Sequence, residues 1–396
     1  MKQRIAILGS TGSIGVNTLD VVARHPERYQ VFGLSASTRV DALFAQCVQF
    51  RPTVAVMASA AHAAMLAQKC RDYGLQTVVL AGAQHLTQLA GDERVDIVMA
   101  AIVGAAGLAP CLHAAQRGKR LLLANKEALV VGGKLFLKAV ADGGARLLPI
   151  DSEHSAIFQS LPADESTWSR QIGKLILTAS GGPFRTWDPA RLRDATPEQA
   201  CAHPNWTMGR KISVDSATMM NKALEVIEAC YLFGVAPRDI DVVLHPQSVI
   251  HSMVRYRDGS VVAQLGTPDM RGPISYGLAW PERIESGAPE LDFSALAALT
   301  FESIWTDAHK ARFPGLQLAW QALAAVPGTT AVLNAANEVA VEAFLQRQIR
   351  FDEIHAVNTE ALTCVAPSHI ESLDDLLALD AESRAQAGAI VRRLAH

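Results

Sequence analysis

The sequence lacks the marks of a disulfide scaffold, a zinc protein or a membrane protein. Its six cysteines, Cys47, Cys70, Cys111, Cys201, Cys230 and Cys364, are scattered, with no C-x-x-C pair and no histidine cluster at zinc spacing. That pattern suits a reducing compartment better than a disulfide framework. No apolar stretch approaches membrane-spanning length. Charge of one sign is also missing: the formal net charge is -3, so neither nucleic acid nor an anionic membrane is attracted in bulk, and any phosphate recognition must be local. There is no internal repeat and no low-complexity segment. Met1 is followed within a few residues by a strand-like run, which leaves no room for a charged leader with an apolar core; a cytoplasmic protein is expected.

What is present is a chain of 396 residues, 49% of them hydrophobic, long enough for two or three domains with real cores. Up to about residue 150, short apolar runs such as "RIAILGS", "QVFGLSAS", "TVAVMAS", "DIVMAAIVG" and "RLLLANKE" alternate with Ala-rich helical segments. Continuous apolar strands separated by helix-length spacers predict a parallel sheet covered on both faces, a doubly wound α/β domain over 1–150. In the middle, "DVVLHPQSVIHSMVRYRDGSVVAQLG" contains a hairpin turning at Arg257, Asp258 and Gly259, which predicts a more antiparallel sheet in an α+β domain over 151–285. The stretch 286–311, which begins within the Pro-, Gly- and Ser-rich run "PERIESGAPELDFSAL", reads as a linker. Strand signals then disappear, and 312–396 reads as a C-terminal helical bundle domain.

The first chemical signal is "ILGSTGSIG". Gly9, Gly12 and Gly15 follow the first strand and open a helix, where a dinucleotide pyrophosphate meets exposed backbone N–H groups; a tight turn without ligand is the bland alternative. At the end of the second strand an NAD site wants Asp or Glu. Here stand Ser37, Thr38 and Arg39, which favour a 2'-phosphate and hence NADPH. Asn125, Lys126 and Glu127 end another apolar strand, at the edge where ligands collect, although a helix start with a surface Lys fits too.

"PIDSEHSAIF" puts two carboxylates one residue apart. In extended chain Asp151 and Glu153 would point to one side and repel, a conflict that a divalent cation removes. Hard oxygen ligands select Mg²⁺ or Mn²⁺ over zinc. Solvated strand-end carboxylates are the commoner fate of such a pair, so a third ligand is needed. In a helix, Asn221, Lys222 and Glu225 share a face, and Glu225 could complete the site while Ser216, Asn221 and Lys222 hold a phosphate; an ordinary surface ion pair is the alternative. "TASGGPF" offers Ser180 and free N–H groups to a phosphate. In "HPNWTMGRK", a loop near 200–211, Trp206 either closes over a ligand or packs in a core.

Together "GSTGSIG", "MAAIVGAAGL", "LLANKE", "DSEHSAIFQSLP", "SGGPF", "HPNWTMGRKISVDSATMMNKALE", "HPQSVIHSMVRYRDGSVVAQLGTPDMR" and "NAANE" resemble, in order and over nearly the whole chain, the 1-deoxy-D-xylulose 5-phosphate reductoisomerase family. The resemblance implies conversion of that sugar phosphate to 2-C-methyl-D-erythritol 4-phosphate in non-mevalonate isoprenoid synthesis. A retro-aldol cleavage and rejoining of the C3–C4 bond would precede hydride transfer from NADPH, with a divalent metal (Mg²⁺, Mn²⁺ or Co²⁺), usually in a homodimer. It implies that Asp151, Glu153 and Glu225 bind the metal. Thr11, Gly12, Ser13, Ile14, Asn125, Glu127 and Gly209 would contact the cofactor. Lys126, Ser152, Glu153, Ser180, His203, Ser216, Asn221, Lys222 and Glu225 would meet the substrate, with Trp206 and Met208 on the closing loop. Lys126, His203 and the three carboxylates are the catalytic candidates. Many relatives have Gly-Lys-Asn where this chain has Ser37, Thr38 and Arg39, and Ala128 replaces a common Ser. Two rivals share the first domain: a simple NADP-dependent dehydrogenase, which in its semialdehyde form needs a placed nucleophilic Cys, and a dinucleotide sensor without chemistry.

Overall fold

The apolar runs of the first 150 residues, with "TVVLAG" and "ARLLPID" making seven, each form a strand in the computed structural model, which describes residues 2–206, 208–296, 298–367 and 370–395. Position 207 of the expected closing loop, 297 of the expected linker, and 368, 369 and 396 of the expected helical domain lie outside the described residues. The strands are β1 (Gln3–Leu8), β2 (Tyr29–Ala36), β3 (Val54–Met57), β4 (Val78–Ala81), β5 (Ile97–Ala100), β6 (Arg120–Leu123) and β7 (Arg146–Pro149). All pair in parallel, in the order β4-β3-β2-β1-β5-β6-β7. Helices cover both faces, so Ile5 to Leu8, Ile97 to Met99 and Leu121 to Leu123 are fully buried. This burial on both sides is why the runs are apolar throughout rather than alternating. Strand order reverses between β1 and β5, and ligands of doubly wound sheets bind at the carboxyl ends beside such a reversal.

Two compact units divide the chain, and they do not follow chain order. The first holds the seven-stranded sheet, with Lys134–Ser155 and also Asp269–Pro289. The latter segment was expected mostly in the middle domain and partly in the linker. Its helix Arg271–Ala279 instead packs on the helix Ser13–Arg24. Arg271 bridges Asp20 at 3.0 Å and Asp269 at 2.7 Å, Arg120 donates to the Leu278 carbonyl at 2.8 Å, and His25 Nε2 lies 2.7 Å from the Glu285 carbonyl. Gly277 approaches so closely that a Cβ there would sit 2.7 Å from Ile150 Cδ1.

The second unit is built on β8 (Ile172–Ala179), β9 (Ile240–Leu244), β10 (Ile250–Tyr256), β11 (Val261–Leu265) and β12 (Glu302–Ser303), ordered β11-β10-β8-β9-β12. Only the β8/β9 pair is parallel. The predicted hairpin joins β10 to β11, with Gly259 at φ 90° in the turn. The C-terminal helices Thr329–Leu345, Glu353–Cys364 and Leu373–Leu394 do form, but they share one core with this sheet. Leu175, Leu177, Leu224, Leu333, Ala340, Val357 and Ile390 belong to the same buried cluster.

Candidate active site

In the first unit the candidate side chains collect along the carboxyl edge of the parallel sheet. Gly9 leaves β1 at φ 81°, and a Cβ on it would meet the Ala101 carbonyl oxygen at 2.6 Å, beside the strand reversal; Gly15 would collide with Ser10 Cα at 2.4 Å. Those two glycines are required by close approach. Gly12, the N-cap of the helix Ser13–Arg24, is exposed with Ser13, while Thr11 and Ile14 are half-buried beside them. The loop is held from the second strand: Gly9 N–H donates to Ser35 Oγ at 2.9 Å and Ser10 N–H to the Ser35 carbonyl at 2.8 Å. Ser37, Thr38 and Arg39 are exposed at the end of β2, and Arg39 Nη1 donates to the Thr11 carbonyl at 3.1 Å.

Asn125, expected to contact the cofactor, is also a structural anchor. Its side chain caps the helix Lys126–Gly143, accepting from Ala128 N–H at 2.9 Å, and its amide donates to the Ile102 carbonyl and to the Gly104 carbonyl at 2.9 Å. It thereby pins the "IVGAAG" loop to the end of β6. The two residues after it are buried rather than surface groups. Glu127 is 7% exposed, and Lys126 Nζ lies 2.6 Å from Asp151 Oδ2, with side chains 6% and 12% exposed.

Asp151 and Glu153 do not sit in extended chain as expected. The helix Ser152–Ser160 begins directly after Asp151, whose Oδ1 accepts the Glu153 N–H at 3.2 Å and whose carbonyl accepts from Ser155. An Asp at the end of a strand caps a following helix well, and that preference overrides the strand reading. Glu153 therefore stands in the first turn, where the helix dipole favours negative charge, and its Oε2 accepts from Ser152 Oγ at 2.6 Å.

In the second unit, the predicted helical face of Asn221, Lys222 and Glu225 forms, and burial rules out a solvated ion pair. Glu225 is wholly buried; its Oε1 accepts from Asn221 Nδ2 at 2.5 Å and its Oε2 pairs with the Lys222 ammonium, itself 4% exposed. The chain reverses before this helix at Met219 alone, in a left-handed conformation at φ 63° that is costly for a residue with a Cβ. The reversal sets Ser216, near the end of Arg210–Thr218, close in the chain to Asn221 at the start of Met220–Phe233. Both are half-buried amid buried neighbours. Sequence reading had no signal for Met219.

The Ser-Gly-Gly turn belongs to the same group. Gly182, at φ 66°, approaches so that a Cβ would lie 2.7 Å from the Ser216 carbonyl oxygen. Ser180 Oγ lies 2.9 Å from His203 Nε2, while His203 Nδ1 accepts the N–H groups of Asn205 at 3.2 Å and Trp206 at 3.0 Å. With Nδ1 occupied as an acceptor, Nε2 carries the proton and donates to Ser180. Burial pushes the His203 pKa down to about 4, so the ring is neutral at pH 7. Ser180 is left free to donate its own proton to a ligand.

Trp206 is half-buried, with its ring 6.2 Å from that of the buried His251, and Met208 and Gly209 lead on to the helix Arg210–Thr218, which Gly209 caps. Asn205, which sequence reading passed over, ties this loop down by donating to the Pro246 carbonyl at 2.7 Å and Ser248 Oγ at 3.0 Å.

Three family models match in chain order: 1-deoxy-D-xylulose 5-phosphate reductoisomerase over residues 5–133, its C-terminal domain over 147–233, and a DXP reductoisomerase C-terminal domain over 265–386. The 1-deoxy-D-xylulose 5-phosphate reductoisomerase of Burkholderia cenocepacia is 57% identical over 99% of this chain and 98% of its own. A crystal structure of DOX-P reductoisomerase in complex with NADPH, fosmidomycin and magnesium superimposes with a TM-score of 0.93, at 45% identity over 99% of each chain. The Zymomonas mobilis enzyme in complex with NADPH gives 0.92, at 43% identity over the full length of both. With relatives this similar over its whole length, the chain belongs to the 1-deoxy-D-xylulose 5-phosphate reductoisomerase family.

Proposed function

We propose that this chain isomerises and reduces 1-deoxy-D-xylulose 5-phosphate to 2-C-methyl-D-erythritol 4-phosphate for isoprenoid synthesis, as an NADP-dependent oxidoreductase that also needs a divalent metal, Mg²⁺ or Mn²⁺. The observation that carries this reading is the buried Lys126–Asp151 pair on the carboxyl edge of the very sheet whose first turn is the glycine-rich loop. The residues suit both groups. Gly9 and Gly15 let the backbone and a helix N-terminus approach a pyrophosphate, and exposed Ser37, Thr38 and Arg39 offer donors to a 2'-phosphate in place of the acidic residue of an NAD site. Asp151, Glu153 and Glu225 supply hard oxygens, and to these three we assign the metal ion. When bound, NADPH supplies the hydride and the dication Lewis acidity at the substrate's oxygens.

The chain's own residues do the rest. Lys222 and Asn221 hold the Glu225 carboxylate in one orientation beside the substrate. Ser180, oriented by neutral His203, donates to the substrate phosphate together with Ser216, and Ser152 steadies Glu153. Lys126 stands ready to deliver a proton to the new alkoxide. Trp206 and Met208 close over the bound sugar phosphate and exclude water. A thioester-forming dehydrogenase is disfavoured, because none of the six cysteines lies in a nucleophile motif, and burial pushes the thiols of Cys47, Cys111 and Cys230 up to about 12 and so holds these three protonated. No described helix is long and apolar enough to cross a membrane. From the family resemblance and the scattered cysteines we assign the protein to the cytoplasm and to a homodimer.

The test is to incubate the protein with deoxyxylulose phosphate, Mn²⁺ and NADPH and follow the nicotinamide absorbance. The signal should fall only with all three present and stop on adding fosmidomycin, which a 45%-identical relative holds. Oxidation of NADPH by an unphosphorylated hydroxy acid or a semialdehyde, with none by deoxyxylulose phosphate, overturns the assignment.

A further inference from the structure

Ser10 is wholly buried immediately after Gly9, yet none of its polar groups is lost. Its N–H donates to the Ser35 carbonyl at 2.8 Å. Its remaining groups face one side chain: Ser10 Oγ donates to Gln46 Oε1 at 2.7 Å, and Gln46 Nε2 donates back to the Ser10 carbonyl at 2.9 Å. Ser10 Oγ is also 3.1 Å from the Ser35 carbonyl, but the shorter contact is to Gln46.

Gln46 lies on the helix Val40–Phe50, which packs inward through Val40, Leu43 and Cys47. Those apolar contacts do not depend on the residue at 46. The half-buried Gln46 amide instead uses both its donor and its acceptor on a single residue of the glycine-rich loop. The same helix has Arg39 as its N-cap, and Arg39 donates to the next loop carbonyl, that of Thr11. One rigid helix thus grips consecutive loop residues from two points.

We propose that Gln46 is a positioning residue for the dinucleotide, clasping Ser10 so that the loop after β1 presents its N–H groups to the pyrophosphate. This rests on the reading that the loop binds NADPH. Without Gln46 the Ser10 hydroxyl can turn to the Ser35 carbonyl, but the Ser10 carbonyl loses the Gln46 amide, and the loop shifts rather than leave it unsatisfied. The pyrophosphate is common to NADH and NADPH, so loss of the clasp weakens both alike. Loss of Arg39 falls on NADPH.

The experiment measures dissociation constants of NADPH and NADH, by nicotinamide fluorescence, for the full chain and for Gln46→Met, which keeps length and apolar stem but makes no hydrogen bond. Both constants should rise about tenfold, equivalent to about 1.4 kcal/mol for the two hydrogen bonds together. At saturating NADPH, kcat and the KM for the sugar phosphate should stay within about twofold. Gln46→Glu, which sets a carboxylate against the Ser10 carbonyl, should bind both dinucleotides more weakly still. Unchanged constants in Gln46→Met, or a loss confined to NADPH, overturn the proposal. Should Gln46→Met not fold, Ser10→Ala decides: a rise of about threefold for both dinucleotides supports the clasp and no rise rejects it. If the unaltered protein binds no NADPH, the functional reading itself fails; if it binds and Gln46→Met binds equally, only this inference does.

Discussion

The Lys126 ammonium and the Asp151 carboxylate meet at 2.6 Å between two nearly buried side chains. Removing one partner of such a pair leaves the other charged and poorly solvated, at a cost of about 3–5 kcal/mol when nothing replaces it. A dication on Asp151 would replace it. Lys126→Ala should therefore melt well below the unaltered protein in EDTA, and Mg²⁺ should raise its melting temperature more than that of the unaltered chain. Equal Mg²⁺ shifts in a thermal scan count against Asp151 as a metal ligand. Turnover should fall at least about a hundredfold whatever the Mg²⁺ concentration, as for loss of a proton donor.

Glu225 is wholly buried between Lys222 and Asn221. Glu225→Gln preserves volume but removes the charge that both neighbours are placed to hold. We expect metal-dependent turnover to vanish while NADPH still binds, and stability to drop by about 3 kcal/mol because the buried ion pair with Lys222 is broken. Near-normal turnover at low Mg²⁺ would refute Glu225 as the third ligand.

Much of this was legible in the sequence because the physics is local. A strand buried on both faces must be apolar throughout, so all seven parallel strands announced themselves, as did the Gly259 hairpin. The i, i+4 spacing of Asn221 and Glu225 predicted their contact. Spacing says nothing about burial, however, and whether Lys222–Glu225 was a surface pair had to come from the packing around it. Asp151 shows a local competition judged wrongly: its cap to Glu153 turned the expected extended pair into a helix start. The placement of Asp269–Pro289 was not legible, since its partners Asp20 and Ile150 lie far away in the chain. Gln46 carried no signal for the same reason.

His203 makes a prediction about pH. Its folded pKa is lowered by burial from 6.5 to about 4, so between those values the unfolded chain takes up a proton that the folded chain refuses. This contribution to stability is complete above about pH 6.5 and is lost as pH falls toward 4. His309, also pushed down to about 4 by burial, acts in the same direction. In an NMR titration the His203 ring protons should hold their neutral shifts down to about pH 5, and His203→Asn should flatten the acid limb of a stability curve. A midpoint near 6.5 for His203 excludes the buried neutral donor to Ser180.

Trp206 stands half-buried on a loop whose root is tied down by Asn205, and its ring meets that of His251. On the proposed closure over the substrate, such a residue should matter little to folding and much to turnover. Trp206→Ala should remain folded, with its melting temperature within a few degrees, while kcat/KM for the sugar phosphate falls at least about a hundredfold. Unfolding instead would make it a core residue.

Arg39 is exposed at the end of β2, with one guanidinium nitrogen on the Thr11 carbonyl. Neighbouring Ser37 and Thr38 add only neutral donors, so it is to Arg39 that we assign the charge distinguishing a 2'-phosphate from a 2'-hydroxyl. A charged hydrogen bond of this kind contributes about 1.5–3 kcal/mol. Arg39→Ala should raise the KM for NADPH by at least about tenfold and that for NADH by no more than about twofold, with kcat little changed. The preference also rests on screened charge, so added salt should narrow the gap between the two cofactors in the unaltered protein and leave it unmoved in Arg39→Ala. Equal rises in both KM values would show that Arg39 supports the loop through Thr11 and does not read the phosphate.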